Sequence, residues 1–222
     1  MKPIKIRTRG IEMKHGKGLS VCRLLLVLFA LIFPAILSSS PIVSNGKLDL
    51  KSWNPEKDGL IALDGKWEFY WNRLIDPNEF ASGSVPEKTG YIETPEYWDK
   101  YIVNGKPLGG LGYATFRLKI VNLPQSHVYA LDLPLMHTAY KMWVNGELVS
   151  ENGIVGTSRG SSKPQYLPKT PVIKTTRDSL DVVLQISNYH HNNGGIWHGF
   201  KLGKSSEIIL SSQMRTAFDL FL

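Results

Sequence analysis

The alternation of apolar and polar residues in one segment limits most strongly what this chain can fold into. In residues 113–121 every second residue is apolar, namely Ala114, Phe116, Leu118 and Ile120, and the residues between them are predicted to point outward. Successive side chains of a β-strand point to opposite faces, so the pattern predicts a half-buried strand. Residues 66–71 and 180–187 repeat it, and no long helical periodicity follows residue 45. The chain is therefore predicted to be mostly β.

Turn residues separate the other candidate strands. Asn145 and Gly146 lie between residues 140–144 and 147–150, and both tolerate the positive φ angles of a type I′ hairpin. Further short strands are predicted at residues 60–63, 91–94, 128–133, 198–202 and 207–210. Together they predict an all-β fold, an antiparallel double sheet of the jelly-roll or a related sandwich type, over residues 45–212.

Two stretches are predicted to lie outside the strands. Residues 156–174 contain Pro164, Pro168 and Pro171, which lack the N–H group that a central strand donates, so this stretch is predicted to be a loop or a covering segment. Residues 71–80 are predicted to form one helical turn before Pro77.

Of the net charge of +7, all but one unit comes from the first 40 residues. They contain seven of the 26 basic residues and one of the 19 acidic residues, so the remainder is nearly neutral and offers nucleic acid no basic surface. An uncharged apolar run at residues 24–37 follows the basic stretch and leads to three serines. This order predicts an export signal at residues 1–40, either cleaved or retained as a signal anchor, and an extracytoplasmic location. The only cysteine, Cys22, lies in that leader.

The sequence contains no HExxH helix and no glycine-rich phosphate loop that opens a helix. The adjacent residues His190 and His191 would point to opposite faces of a strand, and the sequence has no second cluster of metal-ligating residues to accompany them. We therefore expect no enzyme activity, no cofactor and no metal.

The segment with the most binding chemistry is residues 187–199, which follows a predicted strand. Aromatic rings stack on the apolar face of a pyranose, and Asn, His and Arg side chains hydrogen-bond its hydroxyl groups. The same residue types also form ordinary turns and cores, and that alternative remains open. The predicted ligand-binding residues of this segment are Asn188, His190, His191, Asn193 and Trp197. Arg117, from the predicted strand at residues 113–121, is added as a cation that could meet a polar ligand.

Five segments together resemble a known family: GKWEFYWNRLIDPNEF (65–80), PEYWDKY (95–101), GLGYATFRLKI (110–120), TAYKMWVNGELVSENGIVG (138–156) and SNYHHNNGGIW (187–197). In this order they are similar to the extracellular sensor domain of bacterial seven-transmembrane receptors with diverse intracellular signalling modules. The resemblance covers about residues 60–210. It implies a galactose-binding-like jelly roll that senses a ligand, such as a carbohydrate, without catalysis.

The resemblance also implies what surrounds such a domain. Full-length members continue into seven membrane helices and an output module, so residues 213–222 are expected to begin a first transmembrane helix in a truncated receptor. Two other functions remain open at this point. The domain could be a sugar-binding accessory domain of an exported family 2-like glycoside hydrolase, or a structural module that docks a partner protein through an exposed sheet edge.

Overall fold

The structure is a computed structural model that describes residues 40–221 except residues 126 and 137. The predicted leader therefore lies outside the described residues, apart from Ser40. The helices are α1 (Pro77–Ala81) and α2 (Ser205–Phe221), with a 3₁₀ turn at Trp98–Lys100. In chain order the strands are β1 (Lys47–Asp49), β2 (Ile61–Ala62), β3 (Gly65–Trp71), β4 (Gly90–Thr94), β5 (Glu96–Tyr97), β6 (Ile102–Val103), β7 (Lys106–Pro107), β8 (Gly112–Val121), β9 (Tyr129–Asp132), β10 (Ala139–Val144), β11 (Glu147–Asn152), β12 (Val172–Ile173), β13 (Ser179–Asn188), β14 (Gly195–Ile196) and β15 (Lys201–Lys204).

Two sheets enclose one hydrophobic core. The larger sheet has seven strands in the order β11-β10-β13-β8-β3-β4, and β1 pairs in parallel with β8. The smaller sheet has four strands in the order β12-β9-β15-β2. All other pairs in both sheets are antiparallel. The predicted all-β antiparallel sandwich is confirmed.

The inner faces of the long strands match the alternation in the sequence. Ala114, Phe116, Leu118 and Ile120 of β8 are at most 1% exposed, and the matching face of β13 is equally buried. The outer face of β8 differs from the prediction, because Thr115 and Arg117 are also buried. Their cover is the segment around α1, whose Ile75 and Phe80 form a second, smaller apolar cluster with Tyr70 and Val183.

The predicted hairpin is confirmed. Asn145 has a φ angle of 52° and Gly146 one of 85°, as a type I′ turn requires, and the turn joins β10 to β11. A register shift between Met142 and Trp143 marks a bulge in β10–β11. The hairpin places β11 at one edge of the larger sheet.

Three local predictions were wrong. The helical turn begins at Pro77, in α1, because proline needs no N–H partner at the first helical position and Asp76 caps the helix by accepting from Asn78 N at 2.9 Å. Residues 207–210 lie in α2 and not in a strand: Ile208 is fully buried, whereas both Ile209 and Leu210 are exposed. The preceding strand, β15, starts at Lys201 and not at residue 198.

Helix α2 follows β15 directly and packs against the smaller sheet. Ile208 is its buried contact, and Arg215 donates to Asp132 of β9 at 2.8 Å. None of the helices in the described part of the chain has the length and hydropathy that crossing a bilayer requires. The expectation that residues 213–222 begin a membrane helix stays a prediction.

Candidate ligand-binding surface

The segment predicted to bind ligand lies at one end of the larger sheet. Gly112, the first residue of β8, pairs with Asn188, the last residue of β13. Residues 189–194 then form a loop that meets residues 109–111, which lead into β8. The chain returns as β14, which pairs with β5. The sandwich therefore brings three separate segments of the sequence together at this end.

Asn188 holds the loop together from inside. Its side chain is completely buried, and Nδ2 lies 2.8 Å from Gly110 O, 2.8 Å from His191 O and 2.9 Å from Asn193 O. Its Oδ1 accepts from His191 N at 3.1 Å. Both ends of this amide are used within the chain. Asn188 therefore positions the loop and presents no surface to a ligand, contrary to its predicted role.

Two glycines allow the loop to pack closely against its neighbours. A Cβ atom on Gly110 would lie 1.6 Å from Asn192 O, and one on Gly194 would lie 2.4 Å from the indole of Trp98. Trp98 is fully buried and donates from Nε1 to Gly110 O at 3.1 Å, while its backbone N donates to Gly194 O at 2.9 Å. The loop therefore rests on a fixed base.

A second set of contacts ties the same loop to residues 156–162. Tyr189 donates from its hydroxyl to Thr157 O at 2.6 Å, and His190 Nε2 lies 3.2 Å from Ser162 O. Below them, the buried Ser187 Oγ accepts from Gly156 N at 3.2 Å. His190 remains exposed beside these contacts. The predicted loop after β11 thus becomes one wall of the surface.

The partly exposed side chains of this end include three neighbouring rings, Tyr97, Trp197 and His198, which we call the aromatic platform. The rings of Tyr97 and Trp197 have centroids 6.4 Å apart and planes within 14°. His198 lies 4.1 Å from Trp197, with its ring tilted by 32°. Tyr97 and Trp197 are half-buried and His198 is exposed. Trp197 was predicted; Tyr97 was missed because its strand pairs with β14 only in the folded chain.

The remaining predicted residues of the loop lie next to this platform in sequence. His191 and Asn193 are half-buried. His191 Nδ1 lies 3.0 Å from Asn193 O and 3.2 Å from Asn193 N. This contact orients the imidazole across the loop.

Arg117 does not belong to this end. It lies five residues along β8 from Gly112, roughly 17 Å away, on the face that α1 covers. It is 7% exposed and forms ion pairs with Asp181 and Glu68. The prediction that Arg117 binds ligand was wrong, because the alternation that placed it outward could not show the cover supplied by a distant segment.

Asp64 is a further polar group near the platform that sequence reasoning did not select. A Cβ atom on Gly199, the residue after His198, would lie 2.3 Å from Asp64 Oδ1. This oxygen is buried and has no hydrogen-bond partner among the described residues. Burial raises the pKa of the Asp64 carboxyl, and the charge of Lys201 offsets this in part. No group of three or more metal-ligating side chains occurs in the described part of the chain.

Comparisons with known proteins give similar structures but no family. No protein-family model matches the chain, and no curated protein matches it. Similar solved structures include β-glucuronidase from Ruminococcus gnavus, at 14% identity and a TM-score of 0.46. Its complexes with D-glucaro-1,5-lactone and with uronic isofagomine give the same identity and TM-scores of 0.47. Each match covers 64% of this chain but 27–28% of the enzyme's length.

Proposed function

We propose that the described domain is a non-enzymatic, extracytoplasmic sensor domain that binds a carbohydrate for a bacterial membrane receptor. The observation that carries this proposal is the aromatic platform. Its two larger rings lie in nearly parallel planes at the edge of a loop rich in Asn and His. The export signal predicted from residues 1–40 supports a location outside the cytoplasm.

The platform has the chemistry that a sugar ring requires. A pyranose has an apolar C–H face, which packs on an aromatic ring, and a rim of hydroxyl groups, which require hydrogen-bond partners. Tyr97 and Trp197 supply the apolar surface. The exposed side chains of His198 and Glu96 supply donors and acceptors beside it.

The platform is also held in place before any ligand arrives. Gly195 and Ile196 of β14 pair with Tyr97 and Glu96 of β5, and Trp98 lies buried beneath the loop. Ordering a loop on binding costs free energy, so a surface that is already ordered retains more of its contact energy as affinity. The internal hydrogen bonds of Asn188 serve the same purpose.

A short covalent path leads from the platform to the end of the described chain. Trp197 is followed by β15 at Lys201–Lys204, and α2 begins at the next residue, Ser205. A receptor responds only if its ligand has different affinities for two arrangements of the protein. A shift of β15 on binding would move α2 directly, which supports a sensing role for this connection.

Binding of glycans to the full-length chain on an array, followed by calorimetry, tests the proposal. We expect at least one glycan to bind, and Trp197→Ala and Tyr97→Ala each to weaken it by about tenfold or more. Tyr166→Ala is the matched control, because Tyr166 is 44% exposed in the loop before β12 and should leave affinity unchanged. An array without binding, or equal affinities for all variants, would overturn the proposal.

An accessory sugar-binding domain of an exported glycoside hydrolase would use the same platform. Any sequence that the gene encodes beyond residue 222 separates the two possibilities. Membrane helices there support the receptor, and a catalytic domain with a carboxylate pair supports the hydrolase.

A further inference from the structure

A groove runs along one side of the sandwich, and its lining includes none of the three rings of the aromatic platform. It lies between β11, the edge strand of the larger sheet, and residues 169–174, which form the edge of the smaller sheet. Two neighbouring cavities of about 350 Å³ and 230 Å³ make up this edge groove, and Val149 lines both. The groove therefore separates two strand edges, and within the described part of the chain no further strand lies beside either of them.

The two walls of the edge groove carry opposite charges. Glu147 and Glu151 lie on the β11 wall, and Lys169 and Lys174 lie on the other. Glu151 shares one cavity with Lys169, and Glu147 shares the other with Lys174. None of the four takes part in the ion pairs found within 4.0 Å among the described residues.

Apolar side chains accompany these charges. Leu148, on β11, is 46% exposed, and Val172, on β12, is 39% exposed. Unpaired strand edges with exposed apolar side chains favour association with another chain. The edge groove thus has the features of an interaction surface.

The arrangement of charge identifies a second copy of this chain as the occupant. A twofold axis along the groove exchanges its two walls and keeps its two ends in place. Glu151 of each copy then faces Lys169 of the other, and Glu147 faces Lys174. A twofold axis across the groove would instead set β11 against β11 and bring the glutamates together, which costs free energy. We propose that two copies of this chain associate through their edge grooves about an axis parallel to β11.

The size of the surface sets the expected strength of this dimer. The six residues of β11 extend about 20 Å, which makes an interface smaller than the roughly 800 Å² per partner of a stable complex. The dimer should therefore be weak and reversible. Added salt should weaken it further, because its charge pairs lie at the surface.

Charge reversal in analytical ultracentrifugation of the full-length chain tests the proposal. We expect the wild-type chain to dimerise reversibly at about 100 µM, and Glu151→Lys and Lys169→Glu each to weaken the dimer by about tenfold. The double variant restores opposite charges at both contacts, so its dissociation constant should return to within about threefold of the wild type.

Glu87→Lys is the matched control. It makes the same charge change at an exposed position just before β4, at the opposite edge of the larger sheet, and should leave the dimer intact. A wild-type chain that stays monomeric at this concentration would overturn the proposal. A dimer that the single reversals leave unchanged would also overturn the proposal, because such a dimer would form through another part of the chain. A double variant whose dissociation constant does not return toward the wild-type value would overturn it as well.

Discussion

Arg117 of β8 forms a bidentate ion pair with Asp181 of the neighbouring strand β13. Its Nε lies 2.8 Å from Oδ1 and one terminal nitrogen lies 2.6 Å from Oδ2. The guanidinium also lies 4.2 Å from the ring centre of Phe80, because α1 covers this face of β8. Arg117 therefore contacts both the sheet and the segment that covers it, which is a structural role.

We therefore expect Arg117→Ala to lower the free energy of unfolding by about 2 kcal/mol while leaving ligand affinity unchanged. The loss is limited because the Asp181 side chain is 36% exposed and water can solvate the carboxylate that remains. Urea unfolding followed by tryptophan fluorescence measures it. Lys119→Ala, two residues along the same strand and exposed, is the matched control and should cost little. A loss of glycan binding in the arginine variant would return Arg117 to the ligand site.

The sequence predicted the inner faces of the sandwich well because burial in a sheet repeats every two residues. Phe116 and Leu184 lie where that period places them. The same two-residue periodicity did not predict burial on the outer faces, because the residues that cover them are far away in the chain. Thr115, for example, donates from Oγ1 to Arg73 O at 2.8 Å, a contact between residues 42 positions apart. Local alternation contains no information about such a contact.

For the candidate site as well, the sequence predicted some features and missed others. The composition of residues 187–199 predicted a loop with binding chemistry, and the structure places that loop at one end of the sandwich. Composition could not separate Asn188, whose amide is used inside the loop, from Trp197, which lies in the platform. That distinction depends on Gly110 and Tyr97, which only folding brings beside the loop.

Asn188→Asp tests the internal role of this amide. The substitution keeps the side-chain shape but replaces a donor with an ionised oxygen beside the carbonyl groups of Gly110, His191 and Asn193. We expect a loss of about 3 kcal/mol in the free energy of unfolding, since the site is completely buried. Denaturant unfolding checks this expectation. Asn192→Asp, at an exposed position of the same loop, should be nearly neutral; equal effects would argue against the internal role.

Gly194→Ala should disturb the loop through a single methyl group. Its Cβ would lie 2.4 Å from the Trp98 indole and 2.6 Å from Gly110 O, so the loop or the buried indole must shift. We expect a loss of about 2 kcal/mol in stability and weaker glycan binding. Gly160→Ala is the matched control, because no atom lies within 4 Å of its Cβ. Thermal melts and calorimetry measure both effects, and an unchanged Gly194→Ala variant would show that the loop is not tightly packed.

Asp64→Asn should stabilise the protein at neutral pH. Burial raises the pKa of the Asp64 carboxyl, so the folded state holds this proton more tightly than the unfolded state, whose pKa is about 3.9. Wild-type stability should therefore fall as the pH rises from that value through the folded-state pKa, and the cost of the charged form remains above it. The variant lacks this cost, so we expect its melting temperature to exceed that of the wild type by about 2 °C at pH 7 and to match it below about pH 4. Asp178→Asn, at an exposed carboxyl, is the matched control and should leave the melting temperature at pH 7 unchanged. A melting temperature that falls at pH 7 in the Asp64 variant would mean that the charged carboxylate stabilises the fold.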